Sequence, residues 1–281
     1  MTSIADLYLQ ILVPDNKVVE EATKLIQEKY QDTSSIFEII EILKTNENPS
    51  IRKQAAIGLK TILHNFWYGY SNDESAESIL NEIIFSLKNE SELLVRHLII
   101  YALEPICKYR DVVWAHMIDD LALECIQSEE PEVIDVGLSL YEVIIPFLED
   151  GINEILEPLS EKIGIVIQNQ NELIPTSSNL ISALISNFDP PIPGCLEELS
   201  DMLFSGFREL LVNQYPMIHK IANNLSKIVL NEPVSSSVEH LKYLLEIAND
   251  ESISPLFIYH VFTPIYTIIR KQKFINLFQI Y

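Results

Sequence analysis

Residues 42–59 read ILKTNENPSIRKQAAIGL, and residues 125–140 read CIQSEEPEVIDVGLSL. Each stretch combines the apolar end of one helix, a turn rich in Asn or Glu, a proline, and small residues in the helix that follows. Residues 86–103, SLKNESELLVRHLIIYAL, repeat this turn without the proline, halfway between Pro49 and Pro131. The sequence therefore has a period of about 41 residues, within the range of repeats built from paired helices.

The period and the composition together predict the fold. Two helices per period select HEAT-type pairs, and only seven glycines in 281 residues leave little for turn-rich β folds. A proline fits the head of the second helix, because its missing N–H would have no partner there. We predict an all-α chain, an α-solenoid of HEAT repeats with about six to seven antiparallel helix pairs, each burying its apolar face against its neighbours.

Apolar residues recur at helical spacing along almost the whole chain. We expect residues 1–281 to form one solenoid, and the apolar ending FINLFQIY suggests either the N-terminal fragment of a longer protein or a surface that pairs with a partner. The predicted helices cover residues 3–12, 16–31, 34–45, 50–67, 74–89, 91–109, 112–127, 131–148, 151–169, 172–187, 194–212, 215–230, 236–249 and 254–272.

Charge and hydropathy limit the classes of partner. The net charge of −22 argues against direct binding to nucleic acid and favours a basic protein partner. No stretch reaches the roughly 18 uncharged apolar residues of a membrane span, so membrane insertion is not expected. The N-terminus lacks the basic and apolar pattern of a leader, and three widely spaced cysteines favour a reduced intracellular protein.

The helix predicted at 50–67 is unusual in this acidic chain. From Asn48 to Asn72 there are three basic residues and no acidic residue. At about 100° per residue, the basic side chains of Lys53, Lys60 and His64 share one face. The opposite face carries Ile51, Ala55, Leu59, Ile62 and Phe66. Lys53 and Lys60 can be read either as a solvated face or as a basic contact ridge.

The same helix matches a family pattern. Its sequence fits IRxxAAxxLKxxIxxxW, with Leu63 in place of the second Ile and Trp67 at the end. Ala22 and Leu25 in VVEEATKLIQE match the second helix of that family's first repeat. Residues 1–70 therefore resemble the N-terminal repeats of the importin-β (karyopherin-β) nuclear transport receptors. LVPDNKVVEEAT at 12–23 is similar to the opening of the importin branch that carries ribosomal proteins and histones.

The resemblance implies a nuclear import receptor that works in the cytoplasm and the nucleus, including the nuclear pore. Its partners would be Ran-GTP, basic cargo proteins and phenylalanine-glycine nucleoporins, with Ran-GTP releasing the cargo. In this family, second helices of the first repeats receive Ran-GTP, and grooves between outer helices of the middle repeats take nucleoporin segments. The candidates for Ran contact in this chain are Lys53, Lys60, His64, Arg96 and His97.

An acidic block follows the basic helix. From Asp111 to Glu161 there are fourteen acidic residues and no Lys or Arg, so the carboxylates repel one another without local ion-pair partners. Part of the acid at the turn suits a helix N-terminus. A basic ligand would relieve the repulsion, and the candidates for cargo contact are Glu129, Glu130, Glu132 and Asp135.

Catalysis is not expected. The sequence has no HExxH, GxSxG or phosphate-binding glycine loop, and it implies no cofactor and no metal. The alternative to a transport receptor is a generic HEAT-repeat scaffold or adaptor subunit that binds its partners without any dependence on a GTPase.

Overall fold

The computed structural model describes residues 2–70, 75–108, 114–148, 151–188 and 191–278. Side chains are described for all of these except residues 70, 114, 115 and 273–278. In these parts the chain consists of helices and their connections, and no β-strand occurs.

The chain divides into two compact units. The first comprises Met1–Gln127 and Ser139–Phe147, and the second comprises Ser128–Leu138 and Leu148–Tyr281. The helices of the first unit are α1 (Ile4–Ile11), α2 (Asn16–Lys29), α3 (Ser35–Thr45), α4 (Pro49–Tyr70), α5 (Ser75–Asn89), α6 (Leu93–Ala102), α7 (Glu104–Lys108) and α8 (Trp114–Ile126).

Helix α9 (Pro131–Ile144) contributes its first residues, up to Leu138, to the second unit and its remaining residues to the first. The other helices of the second unit are α10 (Ile152–Asn169), α11 (Ile174–Ser186), α12 (Gly194–Val212), α13 (Ile218–Asn231), α14 (Val234–Ala248), α15 (Pro255–Ile258) and α16 (Phe262–Phe278).

Within each unit the helices pack in pairs, and neighbouring pairs stack. In the first unit α3 contacts α4 and α5 contacts α6, while α3 also contacts α5 and α4 contacts α6. In the second unit α10 contacts α11 and α12 contacts α13, while α11 and α13 stack and α13 contacts α16. First helices therefore stack on first helices and second helices on second helices. The predicted fold class, an all-α helical repeat solenoid, is confirmed.

Prolines set several helix boundaries. Pro49 and Pro131 begin α4 and α9, as predicted from the repeat. The helices predicted at 91–109 and 131–148 are wrong in that neither runs unbroken over its whole range. Because Pro105 cannot donate a backbone hydrogen bond, α6 ends at Ala102 and α7 begins after one residue. Pro146 likewise ends α9, which continues as a 3₁₀ turn over Ile145–Phe147.

Polar side-chain contacts between pairs recur at the spacing of the repeat. In the first unit Arg52 meets Glu90 and Lys88 meets Glu124, at separations of 38 and 36 residues. In the second unit the corresponding separations lie between 39 and 45 residues. The contacts are Thr176 with Asp135, Asn231 with Ser186, His240 with Asp201, and Arg208 with Asp250. The repeat read from the sequence is thus the spacing at which neighbouring pairs touch.

Arg52 makes the most hydrogen bonds of these contacts. Its Nε and Nη2 donate to the two carboxylate oxygens of Glu90, each at 2.8 Å, and its Nη1 donates to the carbonyl of Asn46 at 2.9 Å. The Glu90 side chain is 2% exposed. Burial would raise the pKa of Glu90, but hydrogen bonds from Arg52 and from the Glu92 N–H hold that pKa below its usual range. The Arg52 guanidinium therefore hydrogen-bonds to two successive interhelical turns, one containing Asn46 and the other Glu90.

Gly58 marks a close approach of α4 to the first helix pair. The hydroxyls of Tyr8 on α1 and Tyr30 at the end of α2 hydrogen-bond to each other at 2.7 Å, and both side chains are buried. A Cβ at residue 58 would overlap both hydroxyl oxygens. Burial raises the pKa of both phenols. The tyrosine pair occupies the space that a larger residue on α4 would need.

We expect Arg52→Met to lower the free energy of unfolding by about 3–5 kcal/mol at neutral pH, because it leaves the Glu90 carboxylate buried and unpaired. The pair stabilises the fold above the unfolded carboxyl pKa of about 4.3, and this contribution is lost as pH falls through the lower folded value. Urea denaturation at neutral and acidic pH measures the difference.

The control is Lys44→Met, which breaks the more exposed Lys44–Glu82 pair and should lower the free energy of unfolding far less than Arg52→Met does. The double substitution Arg52→Met with Glu90→Leu should recover most of the loss. A deficit that stays the same at acidic pH would contradict the assigned role of Glu90.

We expect Gly58→Ala to lower the free energy of unfolding by about 1–3 kcal/mol, because overpacking against the two tyrosines outweighs the gain in helix propensity. Gly206→Ala on α12 is the matched control, since its methyl group meets no atom of another element within 4 Å. That variant should gain up to about 1 kcal/mol. Thermal denaturation followed by circular dichroism should move in opposite directions, and shifts of the same sign would refute the packing argument.

Candidate functional site

The basic face predicted on α4 is present in the first unit. Lys60 and His64 are exposed, and Lys53 is partly exposed, while Ile51, Ala55, Leu59 and Ile62 are buried. The buried face is wider than predicted because α4 packs against α1, α3 and α6, which also encloses Ala56, Leu63 and Trp67. Phe66 is only partly buried. Among the described side chains of α4, those of the outer ridge are therefore the ones left to a partner.

A groove lies between this ridge and α6. Its volume is about 570 Å³, and its lining mixes apolar floor residues with basic and amide side chains at the edge. We call it the α4–α6 groove. Its lining residues are Ala56, Ile57, Lys60, Thr61, His64 and Asn65 from α4, with Leu98 and Tyr101 from α6.

Local contacts set the charge around the α4–α6 groove. Lys60 Nζ lies 3.0 Å from the Glu104 carboxylate, and both side chains are about half exposed. Tyr101 donates its hydroxyl hydrogen to Glu142 at 3.2 Å, which fixes the ring at the groove wall. Lys53 lies two turns before Lys60 and has no ion pair among the described residues. The groove therefore offers an apolar floor beside a basic edge.

Arg96 was predicted as a surface contact, but the structure places it inside the fold. It is 7% exposed, and its Nε and Nη2 donate to the Glu90 carbonyl at 3.2 and 2.9 Å. Arg96 is the fourth residue of α6, as Arg52 is the fourth of α4, and each closes the turn six residues before it. Arg96 thus stabilises a turn. His97 is partly buried and lies beside the groove residue Leu98.

The acidic candidates, in the second unit, also divide into exposed residues and a buried one. Glu129, Glu130 and Glu132 are exposed around the turn before α9. Asp135 is 5% exposed and accepts a hydrogen bond from the Thr176 hydroxyl at 2.6 Å. Asp135 therefore joins α9 to α11, and a cargo contact through its carboxylate does not fit this placement.

Of the eight residues that line the α4–α6 groove, the sequence interpretation proposed only Lys60 and His64 as contacts. Ile57, Leu98 and Tyr101 line it, and Glu104 pairs with its lysine. Ile57 could have been found, because it is an apolar residue set between Lys53 and Lys60 on the basic ridge, and it is 43% exposed. Leu98, Tyr101 and Glu104 carry no such signal, since their place depends on how α6 packs on α4.

A second groove lies between α12 and α14 in the second unit. Its volume is about 650 Å³. We call it the α12–α14 groove. Its lining comprises Asp201, Phe204, Ser205, Val234, Ser235, Ser236, Val238, Glu239, His240 and Tyr243.

His240 forms the base of the α12–α14 groove. Its ring stacks on Phe204 with centroids 3.7 Å apart, and its two nitrogens lie 3.0 Å from the carboxylates of Glu232 and Asp201. Burial would lower the pKa of His240, but the two carboxylates raise it above its ordinary value. His240 therefore links α14 to Asp201 on α12 and to Glu232 at the end of α13.

The described parts of the chain contain no group of three His, Cys, Asp or Glu side chains arranged to hold a metal ion. Every helix described is too short or too polar to cross a bilayer.

Comparison with known proteins gives one partial relative. A segment of 95 residues is 32% identical to the protein described as "Probable importin subunit beta-4" from Schizosaccharomyces pombe (strain 972 / ATCC 24843). The matched segment covers 34% of this chain and 9% of that relative. No family model matches the chain. The similarity supports a relationship to the importin-β family of nuclear transport receptors at most, and it does not distinguish a branch of that family.

Proposed function

We propose that this chain acts as a nuclear import receptor of the importin-β type. It would bind basic cargo and nucleoporins, and binding of Ran-GTP would release the cargo as the receptor moves between cytoplasm and nucleus. The observation that carries the proposal is the α4–α6 groove. Its basic edge lies on the helix whose sequence resembles the family's N-terminal pattern, and the partial importin relative supports the same assignment.

The α4–α6 groove is the proposed contact for Ran-GTP. An apolar floor beside Lys53, Lys60 and His64 suits a protein surface that presents carboxylates around an apolar anchor. The Lys60–Glu104 pair would give way on binding at little cost, since an ion pair this exposed contributes at most about 1 kcal/mol. Arg96 is not part of this contact.

The exposed carboxylates of Glu129, Glu130 and Glu132 are the proposed attraction for basic cargo. They lie within the block from Asp111 to Glu161 that contains no Lys or Arg. Charges of one sign raise the rate of encounter with an oppositely charged partner, and this effect weakens as salt increases. Cargo binding should therefore depend strongly on ionic strength.

The α12–α14 groove is the proposed seat for nucleoporin phenylalanines. It lies between first helices of successive pairs, and Val234, Val238 and the Tyr243 ring give it apolar walls. The resemblance implies that the receptors take phenylalanine-glycine segments in grooves of this kind. Coupling between Ran-GTP and cargo would be reciprocal, each weakening the other by the same factor.

We expect Lys53→Glu with Lys60→Glu to weaken binding of Ran-GTP by about tenfold or more, because two attractive charges become repulsive. The control is Lys17→Glu with Lys24→Glu, which changes the net charge equally at the same seven-residue spacing on the exposed face of α2. Isothermal titration calorimetry measures both affinities, and circular dichroism checks the fold.

Two results would count against the assignment. If the Lys53 and Lys60 variant bound Ran-GTP as tightly as the parent chain, the α4–α6 groove would not be the contact. If the Lys17 and Lys24 variant lost the same affinity, the effect would come from net charge rather than from this groove.

A further inference from the structure

His240 of α14 is held between two carboxylates inside the second unit. Its side chain is 8% exposed, with Nδ1 3.0 Å from a Glu232 oxygen and Nε2 3.0 Å from an Asp201 oxygen. The ring also stacks on Phe204 of α12, with the two ring planes 12° apart, which fixes its orientation. Both ring nitrogens therefore face negatively charged groups.

This arrangement needs two hydrogens on the His240 ring. A neutral imidazole carries one N–H, so its other nitrogen would place a lone pair 3.0 Å from a carboxylate oxygen. The imidazolium form donates from both nitrogens and satisfies both contacts. Burial would lower the pKa of His240, but Glu232 and Asp201 raise it above its ordinary value. The geometry and the charges thus favour the same form.

The two carboxylates differ in their surroundings. The Glu232 side chain is 2% exposed, and the Ser200 hydroxyl donates to its other oxygen. The Asp201 side chain is 74% exposed. A buried carboxylate that loses a hydrogen-bond donor is costly, whereas an exposed one can exchange the donor for water. When His240 becomes neutral, its remaining hydrogen should therefore stay on Nδ1, facing Glu232.

Other titratable groups near this junction are not partners of the ring. On the elements packed against α14, and on α14 itself, they are Lys271, His260 and Glu239. The lysine, on α16, donates to the backbone carbonyl of Glu232. Burial and the charge of His219 lower the pKa of the histidine, and the glutamate pairs with Lys242. The charges that act on His240 are those of Glu232 and Asp201.

We propose that a proton on His240 Nε2 holds Asp201 against α14, and that loss of this proton to solvent releases the Asp201 carboxylate into the α12–α14 groove. The hydrogen bond from Nδ1 to Glu232 remains in both states. Because Asp201 lines the groove, the charge presented at that wall changes with pH. The inference does not depend on which partner the groove binds, so it stands apart from the proposed nucleoporin contact.

Histidine NMR on the whole chain tests the proposed tautomer. Long-range proton–nitrogen correlations report the protonation of each ring nitrogen, and the signal lost in His240→Gln identifies the residue. We expect His240 to titrate above its ordinary pKa of 6.5 and its neutral ring to keep the hydrogen on Nδ1. His116, exposed on α8, is the reference for a solvated ring. A neutral His240 ring with its hydrogen on Nε2, or titration at or below the ordinary value, would overturn the proposal.

Asp201→Asn tests the contact itself. An amide can donate to an unprotonated Nε2, so the neutral ring keeps both contacts and the pKa of His240 should fall. Glu239→Gln is the matched control, because it removes the same charge from another exposed side chain of the groove, one that pairs with Lys242. It should leave the titration of His240 nearly unchanged. Equal shifts in the two variants, or no shift in Asp201→Asn, would show that Asp201 does not control the proton.

Discussion

Within each unit, the stacking of neighbouring helix pairs is the constraint on which the structure depends. No single pair can enclose its apolar face, so the stability of each pair depends on the pair that follows about forty residues later. The polar contacts recur at the same spacing. The Arg52 guanidinium is an example, because it bonds both to Glu90 in the neighbouring turn and to the Asn46 carbonyl in its own turn. Arg96 repeats the second half of that arrangement one pair later. Arg52 and Arg96 at these turns therefore stabilise the fold.

The same constraint explains what α4 leaves free. Its inner face is enclosed by α1, α3 and α6, and Gly58 lets it approach the tyrosine pair without a gap. Only the outer ridge remains, and α6 turns that ridge into one wall of the α4–α6 groove. Because Lys60 pairs with Glu104 of α7, a partner bound there would also act on a contact between neighbouring pairs. In a structure built from such contacts, binding at one pair can bias the packing of the next, which is a physical route to coupling between ligands.

Much of the fold followed from the sequence, because the repeat period, the prolines and the helical spacing are local signals. The helix breaks at Pro105 and Pro146 also have a local cause. Whether a helix stops or only bends at such a proline depends, however, on how the neighbouring helices accommodate the lost hydrogen bond. The residues of the candidate site were harder to predict from the sequence. Lys60 and His64 were placed correctly on an exposed face, whereas Arg96 and Asp135 are buried by partners that only the packing supplies. Composition predicts that a face is charged, but it cannot show which charges the adjacent pair will neutralise.

We propose that the α4–α6 groove belongs to a receptor that responds to the nucleotide state of Ran. The most direct measurement is a titration of the unmodified chain with Ran loaded with GTP and, separately, with GDP, at low and at near-physiological salt. Binding that is tight for the GTP form alone, and that persists at the higher salt, is the predicted result. Equal binding of the two forms, or no binding of either by a folded helical protein, would contradict the account and favour a HEAT-repeat scaffold.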